Sequence, residues 1–138
     1  MHADNKALIE RWFEEVWNKG REEAIDELFA DDGVAHGLGD APEAALRGPS
    51  GFKPFFRNFR DAFPDIEVIV EDTVSEGDKV AARCRVRGTH KGEGLGSAAS
   101  GNAIEFTGIC IVRVENGKIA EAWNNFDFMS MFQQINAA

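Results

Sequence analysis

The sequence predicts an α+β domain in which an antiparallel sheet packs against N-terminal helices. Three observations predict it. Up to Phe63 the apolar residues recur at three- and four-residue steps, the period of a helix. From Ile66 onward the period changes to two, the period of a strand. Glu76-Gly77-Asp78 and Asn116-Gly117 then punctuate the second half as hairpin turns. Helices first and strands afterwards, without βαβ alternation, place the chain in the α+β class.

Leu8, Ile9, Trp12, Phe13, Val16 and Trp17 share one helical stripe; Asp4 or Asn5 can cap its start, and Gly20 can take the left-handed position after its end. A shorter helix turns Ala24, Ile25, Leu28 and Phe29 inward, and Asp31-Asp32-Gly33 breaks it. Val34-Ala35-His36 reads as a short strand and Gly37 to Pro49 as a loop. Ser50 suits the N-cap of a third helix carrying Phe52, Phe55, Phe56, Phe59 and Phe63. Pro54 falls in the first turn of that helix, where a missing N–H costs little. Phe63-Pro64 ends it, because a residue before proline is pushed out of the helical region. Four strands follow: Ile66 to Val74, Lys79 to Thr89, Asn102 to Val114 and Lys118 to Asp127. Phe128 to Ile135 reads as a short terminal helix. Residues 1–138 form one domain, with neither an internal repeat nor a linker.

Composition narrows the function. The 138 residues hold 24 Asp and Glu against 15 Lys and Arg, and a net charge of −9 lacks the basic field on which non-specific nucleic-acid binding runs. The densest basic cluster, Arg83, Arg85 and Arg87, alternates along a single strand. No apolar run approaches the roughly 18 residues of a membrane-spanning helix. Met1 to Asn5 lacks the basic start and apolar core of a secretion signal. The expected compartment is therefore cytoplasmic, with neither nucleic acid nor membrane as partner. Eleven Phe and three Trp stand beside no Tyr. Such a chain can build a dry interior but has no phenol for general acid work.

Cys84 and Cys110 each sit in an apolar strand, where a free thiol behaves as a small hydrophobe. No C-x-x-C pair offers a zinc or redox spacing. The histidines are His2, His36 and His90, few for a zinc site, and no metal is expected. H-E-x-x-H and G-x-S-x-G are both missing from the sequence. The glycine-rich stretch from Lys91 to Gly101 predicts a mobile hairpin loop or a flap at a pocket mouth. It is not a phosphate loop, because Ser97 stands where G-x-G-x-x-G needs its third glycine.

Asp127 is the most informative acid. Ile119, Glu121, Trp123, Asn125 and Asp127 share one face of the last strand, and Ala120, Ala122, Asn124 and Phe126 share the other. Between Phe126 and Phe128, burial would raise its pKa and suit it to proton transfer near neutrality. Alternatively it caps the terminal helix through the Phe128–Ser130 amides. The residues leave both readings open.

Five segments, in this order and spacing, carry a resemblance: Phe63-Pro64-Asp65-Ile66, Gly88-Thr89-His90-Lys91-Gly92, Asn116-Gly117-Lys118-Ile119-Ala120-Glu121-Ala122-Trp123, Asp127, and Gln133-Gln134. Together they resemble the SnoaL-like polyketide cyclases of the nuclear transport factor 2-like superfamily, over nearly the whole chain from the Trp12/Trp17 helix to Gln134. The resemblance implies a cone-shaped α+β barrel, its curved antiparallel sheet wrapped around the N-terminal helices and one deep apolar pocket. It implies intramolecular aldol-type ring closure of a small hydrophobic carbonyl compound, without cofactor or metal. Asp127 would abstract a proton α to a carbonyl while the pocket folds the substrate.

The resemblance also implies His90 near the pocket mouth and His36 on the pocket lining, as groups that assist; a plain surface histidine is the alternative for His90. Asp65 organises the turn after the third helix; Arg83, Arg85 and Arg113 lie on polar strand faces, and at least one is expected to pair with an acid inside the cone. Trp12, Phe56, Phe59, Trp123 and Phe126 are the candidates for the substrate-binding wall, and core residues otherwise. A homodimer is expected, since an open curved sheet leaves a face to cover. The same fold hosts isomerases, hydrolases, dehydratases and non-catalytic ligand-binding modules, which stand as alternatives.

Overall fold

The computed structural model describes residues 2–38 and 45–137. The side chain of His2 and the middle of the expected Gly37–Pro49 loop lie outside the described residues. The first apolar stripe is buried, but the helix carrying it has two parts. α1 (His2–Arg11) continues into a π-helical segment, Trp12–Asn18, in which Trp12, Phe13, Val16 and Trp17 are all buried. Such wide turns respace the side chains around the axis and concentrate at functional sites. Asp4 and Asn5 lie inside α1 instead of ahead of it.

α2 (Glu23–Leu28) is shorter than expected. Phe29 already has extended backbone and opens β1 (Phe29–His36), which runs through Asp31-Asp32-Gly33. Those residues do not break the element; they form an irregularity in its pairing between Phe29 and Val34. β2 (Leu46–Arg47) pairs antiparallel with β1. α3 (Gly48–Ala62) starts two residues before Ser50, with Arg47 in the cap position and no side-chain cap. Pro49 occupies its first turn, the place a proline tolerates best. Pro54 stands inside the helix on an exposed face, where it removes one ladder bond next to solvent.

β3 (Glu67–Glu76), β4 (Lys79–Thr89), β5 (Ala103–Glu115) and β6 (Lys118–Phe126) form the expected meander, and α4 (Phe128–Ile135) follows as the terminal helix. Asn116 and Gly117 turn the last hairpin with φ of 53° and 75°, both left-handed as a type I′ turn requires. With β1 and β2 the sheet has the order β2-β1-β6-β5-β4-β3, and β1 runs parallel to β6. The sheet curves without closing, so the fold is an open α+β cone whose edges are β2 and β3.

Alternation sorts the sheet. Val80, Ala82, Cys84 and Val86 of β4 and Ile104, Phe106, Cys110 and Val112 of β5 are buried; Arg83, Arg87, Glu105 and Thr107 between them are exposed. The π-helical segment and α3 cover the inner face. Trp17 meets Phe52, Phe55, Phe56 and Phe59 at centroid distances of 6.1, 6.0, 5.4 and 6.3 Å. Aromatic pairs of this kind contribute about 0.5–1.5 kcal/mol beyond burial.

Two of the quoted motifs turn out to be one junction. Asp65 Oδ1 accepts from the Thr89 N–H and Oδ2 from the Thr89 hydroxyl, both at 2.8 Å, so Asp65 organises the turn as expected. The 91–101 segment, read as mobile, lies down on α3. The N–H groups of Lys91 and Gly92 donate to the Ala62 carbonyl at 3.0 and 3.2 Å. A Cβ at Gly92 or Gly94 would overlap the carbonyl oxygen of Asp61 or Asn58. These glycines serve close contact, a tertiary fact that composition does not carry.

Gln134 completes the sheet where β6 ends. Its side-chain amide accepts from the Glu105 N–H (2.7 Å) and donates to the Glu105 carbonyl (2.8 Å), as a neighbouring strand would. Asn102 Nδ2 holds the same helix end through the Gln134 and Ile135 carbonyls, at 3.0 and 3.2 Å.

Gln134→Ala is expected to lower stability by about 1–3 kcal/mol in urea unfolding, two net hydrogen bonds at roughly 0.5–1.5 kcal/mol each. Amide exchange in α4 should accelerate while β4 stays protected; unchanged α4 protection would refute the edge-completing role. For Asp65, burial opposes ionisation, but the two Thr89 hydrogen bonds together with its own backbone N–H and the Lys91 charge outweigh it and hold its pKa below the usual 3.8. A lowered folded-state pKa adds stability that is present above the unfolded value and disappears as pH falls through the folded one. The stability gap between the parent and Asp65→Ala should therefore be constant down to about pH 5 and shrink below about pH 4.

Candidate functional site

A cavity with about 70 Å³ of free space lies between the inner sheet face and the helical layer. Ligand pockets commonly measure roughly 300–1,000 Å³, and this one is small because aromatic rings fill the cone from three sides. The π-helical segment supplies Trp12, Phe13 and Trp17, and α3 supplies Phe52, Phe55 and Phe59. The third side is Phe106 of β5, Phe126 of β6 and Phe128 of α4. Leu38, Phe55, Phe126 and Phe128 are the half-buried apolar members and mark the mouth. Phe126 lies over Gly108, where any Cβ would overlap its ring. It stacks with Phe128 at 6.2 Å, and Phe128 adjoins Phe59 at 5.8 Å.

The lining is chemically plain. Among the described residues no Asp, Glu, Lys, Arg or His is part of it; the polar groups there are two indoles, the Cys110 thiol and the Asn124 amide. Burial drives the Cys110 thiol up, and that of its neighbour Cys84 to about 12, so neither is a thiolate at neutral pH. Asn124 Nδ2 donates to the His36 carbonyl at 2.9 Å. The described residues of the interior therefore supply shape, dryness and one amide, and among them no carboxylate or imidazole.

The structure separates residues that were expected together. Trp12, Phe59 and Phe126 line the cavity. Phe56 does not: it is buried behind the wall, 5.4 Å from Trp17. Trp123 does not either, because Phe126 faces inward and alternation sends Trp123 to the outer face. There Trp123 stacks on His36 at 5.9 Å, and His36 Nε2 meets Glu121 Oε2 at 2.7 Å, so His36 stands outside the cone. His90 is not at the mouth. It is fully buried beside Phe63, at 5.7 Å, where the Asp65–Thr89 junction fixes it. The Ser100 N–H donates to His90 Nδ1 at 3.2 Å, and Nε2 has no partner among the described residues. Arg83 pairs with Glu71 at 2.8 Å, Arg85 with Glu71 at 3.1 Å and Glu105 at 3.2 Å, and Arg113 with Glu115 at 2.9 Å. All three lie on the outer face, and none pairs inside the cone.

Asp127 caps α4, its Oδ1 accepting from the Ser130 N–H at 3.0 Å. The residue is exposed and opens on a polar outer groove with Thr107, Asn125, Arg83 and Arg85, not on the cavity. Among the described residues nothing bonds its Oδ2. Sequence reasoning missed Asn124 and most of the aromatic wall, although the strand face shared with Phe126 already carried the signal for Asn124. Among the described residues no group of three or more His, Cys, Asp or Glu is arranged to hold a metal. No described helix is long and apolar enough to cross a membrane.

Comparison with known proteins agrees with this architecture. Residues 7–135 match the family model of the SnoaL-like polyketide cyclases. A proposed SnoaL-like polyketide cyclase from Jannaschia sp. CCS1 superposes with a TM-score of 0.88 at 23% identity, over 99% of this chain and 94% of its own, a likeness of fold. IdmH, a proposed polyketide cyclase from Streptomyces antibioticus, is 34% identical over 96% of this chain and 99% of its own, with a TM-score of 0.83. A proposed polyketide cyclase from Bacillus cereus ATCC 10987 is 30% identical over 96% of this chain and 80% of its own, with a TM-score of 0.79. No curated protein matches the chain. From the family match over residues 7–135 and the identity with IdmH, the chain belongs to the SnoaL-like polyketide cyclase family.

Proposed function

We propose that this chain takes a small hydrophobic carbonyl compound into the cone and holds it folded for intramolecular, aldol-type ring closure, without a cofactor. The observation that carries this reading is the cavity lining, which among the described residues is aromatic on three sides, uncharged, and broken by a single side-chain amide. Such a wall gains roughly 25 cal/mol per Å² of apolar surface it buries. Holding the α-carbon and the carbonyl carbon in one conformer removes the entropic part of the barrier, which can be a large share of the whole. The new C–C bond replaces the α-C–H bond and the carbonyl π bond, the α-proton passing to water at the mouth and the alkoxide taking a proton back from it. Because the free space is about 70 Å³, entry of a substrate requires the mouth phenylalanines to turn aside. In the same reading the outer sheet face, where Val74, Ile109 and Ile111 are exposed, pairs with a second copy of the chain.

Titration with small aromatic ketones and β-keto esters, read by Trp12 and Trp17 fluorescence in a Trp123→Phe background, tests the site. Saturable quenching is expected, and Ala122→Leu, which fills the cone from β6, should abolish it. Quenching that never saturates, or that survives in the filled variant, would overturn the reading.

A second reading gives the proton transfer to Asp127. The observation in its favour is that one oxygen alone holds the carboxylate, between two mouth phenylalanines. Asp127→Asn separates the two, because Asn caps a helix as well as Asp does but cannot take up a proton. Confinement alone predicts that this variant keeps most of its turnover. A loss of about 10²–10⁴-fold with binding retained, the usual worth of a general base, would assign the step to Asp127. Asp127→Ala should in either case cost about 1 kcal/mol of stability through the lost cap.

A further inference from the structure

We infer that the ligand of this cavity presents a hydroxyl or enol donor, and that Asn124 Oδ1 receives it. The inference rests on the reading of the cone as the binding site and adds the chemistry of the group that site selects. The Asn124 amide has a fixed orientation. Its Nδ2 lies 2.9 Å from the His36 carbonyl oxygen, which can only accept, so the amide cannot be flipped. Oδ1 is then the free end, and an amide oxygen only accepts. No donor among the described residues reaches it.

Oδ1 is also not sealed away. The one unpartnered side-chain nitrogen or oxygen sealed from free space among the described residues is His90 Nε2. An unpartnered Oδ1 on half-buried Asn124, a residue that lines the cavity, is therefore accessible to a small molecule. The backbone around it is held tightly, since a Cβ at Gly37 would overlap the Asn124 carbonyl oxygen where β1 and β6 meet. The amide is thus a rigid acceptor in a wall whose other described members are rings, aliphatic groups and the Cys110 thiol.

A ligand without a donor would dehydrate that oxygen and leave it unpaired, a penalty a hydroxylated ligand avoids. Sites built this way reject analogues that lack the hydroxyl more strongly than apolar shape alone can. Asn124 acts as a positioning residue: it fixes which end of the ligand points toward β6.

The test compares 1-naphthol with naphthalene, because hydrophobicity alone ranks naphthalene first. The parent protein should bind 1-naphthol about tenfold more tightly, the upper end of one net hydrogen bond. Asn124→Ala should reverse the order and leave naphthalene affinity at or above that of the parent. The parent comparison stands even where the variant fails to fold. Naphthalene binding the parent as tightly as 1-naphthol would overturn the inference and leave the cavity as a binding site. Retention of the naphthol preference in a folded Asn124→Ala would overturn the role of Asn124. Binding of neither probe would overturn both the inference and the reading on which it rests.

Discussion

The antiparallel register of β4, β5 and β6 decides which side of the sheet every side chain meets. Ala82 lies opposite Cys110, Cys110 opposite Asn124, and Val112 opposite Ala122, and all of these face the cone. A slip of one residue in any strand would turn its whole set of side chains over. Arg83, Glu105 and Trp123 would then point inward and the apolar set outward. The helical layer, the cavity and the charged outer face all presuppose that this does not happen. The two-residue Asn116-Gly117 turn and the Gln134 amide on Glu105 pin the register at the two ends of β5.

That register explains the chemistry of the interior. With the arginines and glutamates paired to each other outside, the described residues of the cone are rings, aliphatic groups, a thiol and one amide. Dry walls of this kind hold and shape a ligand, and in a dry site a single hydrogen-bonding group discriminates strongly because its unpaired state is costly. The functional reading therefore leans on confinement and on Asn124, and leaves Asp127 with a demonstrable structural duty at the start of α4.

Much of this was legible in the residues. The period change after Phe63, the Asn116-Gly117 turn and the stripes of α1 and α3 led to the right layers. The same strand alternation that predicted β6 also ruled out Trp123, Asp127 and Phe126 sharing a face; the pocket-wall expectation overlooked that constraint. Other features were not local. β1 contains Asp31-Asp32-Gly33, a composition that reads as a breaker, and exists because it pairs with the distant β6. The Lys91–Gly101 segment reads as mobile because glycine is permissive, whereas here Gly92 and Gly94 let it approach α3. His36 and His90 were assigned by resemblance, and neither position carries a periodic signal to say which way it points.

The most direct test is a map of amide chemical-shift changes on titration with 1-naphthol. The account predicts that the perturbed residues cluster on the inner face, at Cys110, Val112, Ala122 and Asn124, and on the mouth at Phe126 and Phe128. Shifts confined to Arg83, Arg85, Thr107, Asn125 and Asp127 would place binding in the outer groove and contradict it.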